Sequence, residues 1–145
     1  MLVKVRRTAL LCLIGGMVYC GIEILWRGYT HWSMFLLAAL LSLPLDQINE
    51  HLSWDMPFWL QAVIGSVGIT AAELVTGLVL NVWLALDVWD YSNLPGNFMG
   101  QISIQYSVLW VLLAGFVIVL FDILRWRLFG EEIPRYTWFR KGKSI

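Results

Sequence analysis

Residues 102–121 read ISIQYSVLWVLLAGFVIVLF, a stretch without a single Asp, Glu, Lys, Arg or His. A helix that crosses the hydrocarbon of a bilayer needs roughly 20 such residues at about 1.5 Å of rise each. This stretch is long enough, and a membrane helix is expected over about 102–126. Three more runs lie upstream. Residues 8–26 carry no charge before Glu23, and 56–86 hold one ionisable residue, Glu73. Residues 31–48 are uncharged from Trp32 to Leu45, with Pro44 and Asp46 near the end. The 56–86 run would be about 45 Å long if helical throughout, so it must tilt, kink or protrude. The 31–48 run is short, its uncharged part covering only about 21 Å, and Pro44 predicts a broken end.

Composition agrees. Of 145 residues, 59% are hydrophobic and 14% charged, against roughly 45–50% and about 25% for a soluble domain. Disorder, a collagen-like repeat and a disulfide scaffold are excluded. Ten basic residues cancel ten acidic ones, so nothing argues for a nucleic-acid partner. Nine Trp residues suit the membrane–water interface. The expected fold is all-α: a polytopic membrane protein whose partner is the lipid bilayer, with one transmembrane domain over 1–145 and four transmembrane helices.

Basic residues set the expected orientation. Lys4, Arg6 and Arg7 precede the first run, and Arg125, Arg127, Arg135, Arg140, Lys141 and Lys143 flank or follow the last. By the positive-inside rule both termini are cytoplasmic (N-in/C-in), which requires an even number of crossings. Outer loops then fall at 27–31 and 87–100, an inner loop at 46–55, and a basic cytoplasmic tail at 127–145. Lys4–Arg7 ahead of an apolar stretch imitates a signal peptide, but no small-x-small site follows, and an uncleaved first helix is expected. Cys12 and Cys20, about 12 Å apart along one helix, read as packing residues.

The informative residues are the polar ones. Glu73 sits mid-helix, where a charge costs roughly 2.5–3.5 kcal/mol even on a lenient insertion scale. It must be protonated, or partnered and turned inward. Gly77 and Asn81 follow on its face, while Gly68, Ala72 and Thr76 form a neighbouring small-residue seam suited to helix approach. Glu23 and Arg27 are spaced i,i+4 in the favourable order for an ion pair. The turn after them brings His31 and Trp32, and the second outer loop brings Trp89, Asp90, Tyr91 and Asn97, with Gln101 beyond it. So many polar groups cannot face lipid, so they are expected to converge on one another or on water. Asp122, one turn from Arg125, reads as its structural ion-pair partner. His31 and His51 fall on opposite sides, which argues against a metal site. No phosphate-cradling Gly loop, Ser elbow or zinc-protease helix is present, so no cofactor and no catalytic residue is assigned.

These blocks carry a resemblance. Gly15-Gly16 with Tyr19 and Ile22-Glu23, Trp26 through Met34, Glu73 with Thr76-Gly77 and Asn81, Trp89 through Ser92 with Pro95 and Asn97, and Gly100-Gln101-Ile102 are together similar to small bacterial membrane proteins of the ABC-transporter type IV kind, a permease-like family. The resemblance covers roughly Gly15 to Tyr136. Ala38-Ala39 stands where a Gly pair is expected and Ser103 where Cys is common. It implies a transport role in a bacterial plasma membrane and a separate ATPase subunit, with loop 46–55 as its docking place. A homo-oligomer is expected, since four helices are few for a permease. Glu23, Arg27, His31, Trp32, Glu73, Asn81, Trp89, Asp90, Tyr91, Asn97 and Gln101 are the substrate-binding or gating candidates. Two other functions compete: a structural or assembly subunit without transport activity, and an intramembrane enzyme acting on lipid headgroups with His31 or Asp90 as base.

Overall fold

The structure, a computed structural model, describes residues 1–139; Arg140, Lys141 and Lys143 of the expected tail lie outside the described residues. All regular elements among them are helical: α1 Leu2–Arg27, α2 Trp32–Asp46, α3 Ile48–His51, α4 Phe58–Gly77 continuing as a π-helical turn Leu78–Trp83, and α5 Ile104–Phe129. Three helices are long and apolar enough to cross a membrane: Leu2–Arg27, Phe58–Trp83 and Ile104–Phe129, each of 26 residues. At 1.5 Å per residue each is about 39 Å long, more than the hydrocarbon thickness of roughly 30 Å. The fourth, α2, has 15 residues and is about 22 Å long. This is a multi-pass helical membrane protein.

The helix ends have local causes. α1 starts at Leu2, not near Thr8, because Lys4, Arg6 and Arg7 are good helix formers whatever their charge. It stops at Gly28, whose φ of 81° allows the left-handed cap, with its N–H on Ile24 O at 2.8 Å. α2 carries Pro44 within its last turn and ends two residues later, as the sequence predicts. In α4 the long run is resolved by the π turn after Gly77, where Leu84 N–H reaches Val79 O at 2.9 Å. Such turns widen a helix and recur at functional sites.

The chain divides into two compact units, one of residues 1–54 with 117–136 and one of 55–116 with the C-terminal segment from Thr137. The first packs α1, α2 and the second half of α5 around Leu11, Met34, Ile118 and Phe121, all buried. Gly15 and Gly16 let α1 come close: a Cβ on Gly15 would lie 3.0 Å from Phe121 Cζ, and one on Gly16 2.7 Å from the Phe35 ring. The second unit packs α4 on the first half of α5. Ser66 Oγ donates to Ser107 O at 2.7 Å and Thr70 Oγ1 to Ser107 Oγ at 3.1 Å, small hydroxyls joining apolar helices as is common in membranes.

Candidate functional site

α4 buries Gln61, Gly65, Ile69, Glu73 and Gly77, one stripe at four-residue steps. The Gly68, Ala72, Thr76 seam predicted from sequence is not the buried one; a Cβ on Gly68 would meet nothing within 4 Å. Glu73, 3% exposed, has one donor on each carboxylate oxygen. Tyr91 Oη donates to Oε1 at 2.8 Å and Trp110 Nε1 to Oε2 at 2.9 Å. Among the described residues no Lys, Arg or His pairs with it. The Tyr91 ring stacks on Tyr106 at 4.4 Å and 10°, and Tyr106 meets Trp110 at 5.8 Å. A buried acid is thus held by neutral donors behind a run of three rings.

Tyr91 reaches Glu73 because residues 84–103 fold back on the end of α4. Asn81, in the π turn, accepts from Val88 N–H at 2.7 Å and donates to Gln101 Oε1 at 2.9 Å. Trp89 Nε1 donates to Gln101 O at 3.0 Å. Gly77 makes the room, since a Cβ there would stand 3.0 Å from both Trp89 and Gln101 side-chain carbons. Two tight turns close the segment. In the first, Asn97 N–H reaches Leu94 O at 3.3 Å across Pro95-Gly96, with Gly96 at φ 66°, Pro and then Gly being what such a turn favours. In the second, Gln101 N–H bonds Phe98 O at 3.0 Å, and Met99 and Gly100 both have positive φ, 54° and 70°. Asn97 Oδ1 accepts from Gly100 N–H at 3.1 Å. Asp90 is exposed; its Oδ1 holds the Ser92 N–H at 2.9 Å and the Ser92 hydroxyl, which keeps its carboxyl below the usual carboxylate range. Asp90 therefore shapes the turn, and its neighbour Tyr91 makes the contact to Glu73.

The candidates of the other unit form their own group. Glu23, 6% exposed, pairs with Arg27 as the spacing predicts, and Thr30 Oγ1 donates to its second oxygen at 2.8 Å. Arg27 lies over the Tyr29 ring, 4.6 Å from its centroid. His31 caps α2: its Nδ1 accepts from Ser33 N–H at 3.3 Å and lies 2.6 Å from Ser33 Oγ. Trp32, 67% exposed, touches only the edge of this group, its ring 5.4 Å from that of His31. The sequence leads to the expectation of one common gathering of these polar residues. The described contacts instead form two groups, Glu23, Arg27, Thr30 and His31 in one unit and Asn81, Trp89, Tyr91 and Gln101 around Glu73 in the other, with Asp90 turned to Ser92.

The family described as "Putative ABC-transporter type IV" matches residues 17–139. The chain belongs to that family. No solved structure matches it. The matched span includes every candidate residue of this ABC-transporter type IV protein. Ser103, where the resemblance suggests Cys, has a clear job: its Oγ accepts from Tyr106 N–H at 3.3 Å, the N-cap of α5. Tyr106 and Trp110 escaped the sequence reading. They sit i,i+4 in a run that reads as plain apolar; the available signal was that a buried indole N–H needs an acceptor.

Arg125 corrects a second expectation. It does not pair with Asp122. Buried at 5% exposure, it donates from Nε to Glu131 at 2.7 Å and from Nη1 to Asp46 O at 2.8 Å, and pairs with Glu50. Asp122 instead accepts from Asn49 Nδ2 at 2.6 Å and Tyr136 Oη at 2.7 Å. Burial and the Asp122 carboxylate raise the Tyr136 phenol above its usual pKa, so it stays a donor.

Proposed function

We propose that this is a small transport-related protein of a bacterial plasma membrane, in which Glu73 binds or gates and Tyr91 latches residues 84–103 onto it. One observation carries the reading: a buried acid within an apolar helix is held by two neutral donors and, among the described residues, by no cation. A charge so placed is a functional candidate by default. A hydrogen bond to a charged group is roughly twice as strong as a neutral one. Protonating Glu73, or giving it a cation, therefore weakens the Tyr91 bond and frees the segment above. The rings of Tyr91, Tyr106 and Trp110 would suit an organic cation through cation–π contact. Asn81, Trp89, Asn97 and Gln101 hold the segment in shape. Glu23, Arg27, His31 and Trp32 serve the same outward-facing role in their own unit, with both termini cytoplasmic and α2 as the fourth crossing. The basic residues at both ends support that orientation. A homo-oligomer and a separate ATPase subunit at the acidic loop 46–55 complete the proposal.

The test is flux of labelled tetraethylammonium into proteoliposomes under an imposed pH gradient. Wild-type flux is expected to depend on pH, and that of Glu73→Gln to be independent of it with the fold intact. No wild-type flux, or unchanged pH dependence in the variant, removes Glu73 from the mechanism. A second reading, an assembly subunit, is favoured by the way Glu73, Asn81 and Gln101 all find partners within the chain. The lipid-enzyme reading is disfavoured: it needs Arg27 for a phosphate, and Arg27 is engaged by Glu23.

A further inference from the structure

A cleft of about 190 Å³ opens in the first unit, between α3 with the turn after it and the end of α5. Asn49, Glu50, Trp54, Asp122 and Arg125 line it together with Glu131 and Glu132. Its chemistry follows from which atoms are already taken. The Arg125 hydrogens go to Glu131, to Asp46 at both its carbonyl and its carboxylate, and to Glu50. Arg7 pairs with Glu131 as well, and Arg135 with Glu132. Among the described residues, every cation in or beside the cleft is thus already paired with a carboxylate.

Acceptors, by contrast, are left over. Both donors to Asp122, Asn49 Nδ2 and Tyr136 Oη, land on Oδ2, so Oδ1 of this carboxylate, in a residue only 7% exposed, has no protein hydrogen bond. Asn49 spends its amide N–H on that carboxylate, which fixes its orientation, and its Oδ1 is buried with no partner. A buried acceptor without a donor calls for a missing donor. A bare metal ion is a poor candidate, because among the described residues no group of three or more His, Cys, Asp or Glu is placed to hold one.

We propose that this cleft binds a small organic cation with N–H donors, a primary ammonium or a guanidinium, through Asp122 Oδ1 and Asn49 Oδ1 with Trp54 as a wall. The volume corresponds to about six waters at roughly 30 Å³ each, room for a short diamine. The site shares no residue with the Glu73 site.

The test is calorimetric titration of the full chain in detergent with 1,4-diaminobutane, guanidinium and, as a cation without N–H donors, tetramethylammonium. The diamine or guanidinium is expected to bind at least tenfold tighter than tetramethylammonium. Asp122→Asn should weaken the tighter of them at least tenfold. Glu132→Gln, an exposed change that leaves the interior alone, should weaken it about two- to threefold even where Asp122→Asn fails to fold. Glu73→Gln should leave it unchanged, which separates this proposal from the function proposed above. No binding to wild type, equal affinity for tetramethylammonium, or wild-type affinity in Glu132→Gln and any folded Asp122→Asn would overturn it.

Discussion

Two clusters of this protein, each built on a buried charged residue, Arg125 or Glu73, treat acids in opposite ways. Around Arg125, Asp46, Glu50 and Glu131 meet a guanidinium. Around Glu73, the carboxylate meets a phenol and an indole. Arg cannot be deprotonated in proteins and its fork matches carboxylates, so the first cluster is a permanent tie between helix ends and loop. Neutral donors stabilise a carboxylate less and do not oppose its protonation with a fixed charge, so the second cluster can change state. The difference separates a fastening from a candidate switch.

The largest expected effect breaks the fastening. Arg125→Met strands the buried Asp46, with the more exposed Glu50 and Glu131 beside it, without a cation and should cost roughly 3–5 kcal/mol, seen as a large fall in the thermal midpoint of the detergent-solubilised protein. A midpoint near wild type would mean the cluster is no tie. Next comes the contrast at Glu73. Glu73→Ala leaves the Tyr91 and Trp110 donors unmet, at about 1–3 kcal/mol. Glu73→Gln keeps an acceptor and removes the charge, so it should change stability by less than about 1 kcal/mol. If Glu73→Gln were as damaging as Arg125→Met, Glu73 would be a fastening too. Tyr91→Phe deletes one hydrogen bond while keeping the stack on Tyr106, worth about 1 kcal/mol, read as faster amide exchange confined to residues 84–103. The smallest effect concerns Asp90. Its carboxyl lies below the usual range because it accepts from Ser92, so its contribution is present above the unfolded-state pKa and lost as pH falls through the lower folded value. Protection of the Ser92 amide should hold at neutral pH and fade under strong acid, and Asp90→Asn should remove that dependence.

Much of the fold was legible because a span is a local property. Length and lack of charge placed the runs holding α1, α4 and α5, and the Pro44 signal placed the end of α2. The Glu23–Arg27 pair was legible because i,i+4 spacing fixes it. What was missed depends on partners distant in the chain. Trp110 lies 37 residues from Glu73, and Arg125 lies 79 residues from Asp46. Asp122, one turn from Arg125, suggested a local pair, yet each found better partners elsewhere. Within α4, small residues at helical spacing suggested the seam at Gly68, while the buried stripe was set by Glu73 and its donors.

Amide hydrogen exchange of residues 84–103, followed from pH 8 to pH 5 in wild type and in Glu73→Gln, addresses the latch itself. After correction for intrinsic rates, wild-type protection should fall as the solution is acidified, while the variant stays weakly protected at every pH. Equal and pH-independent protection in both proteins would contradict it and leave Glu73 as a packing residue.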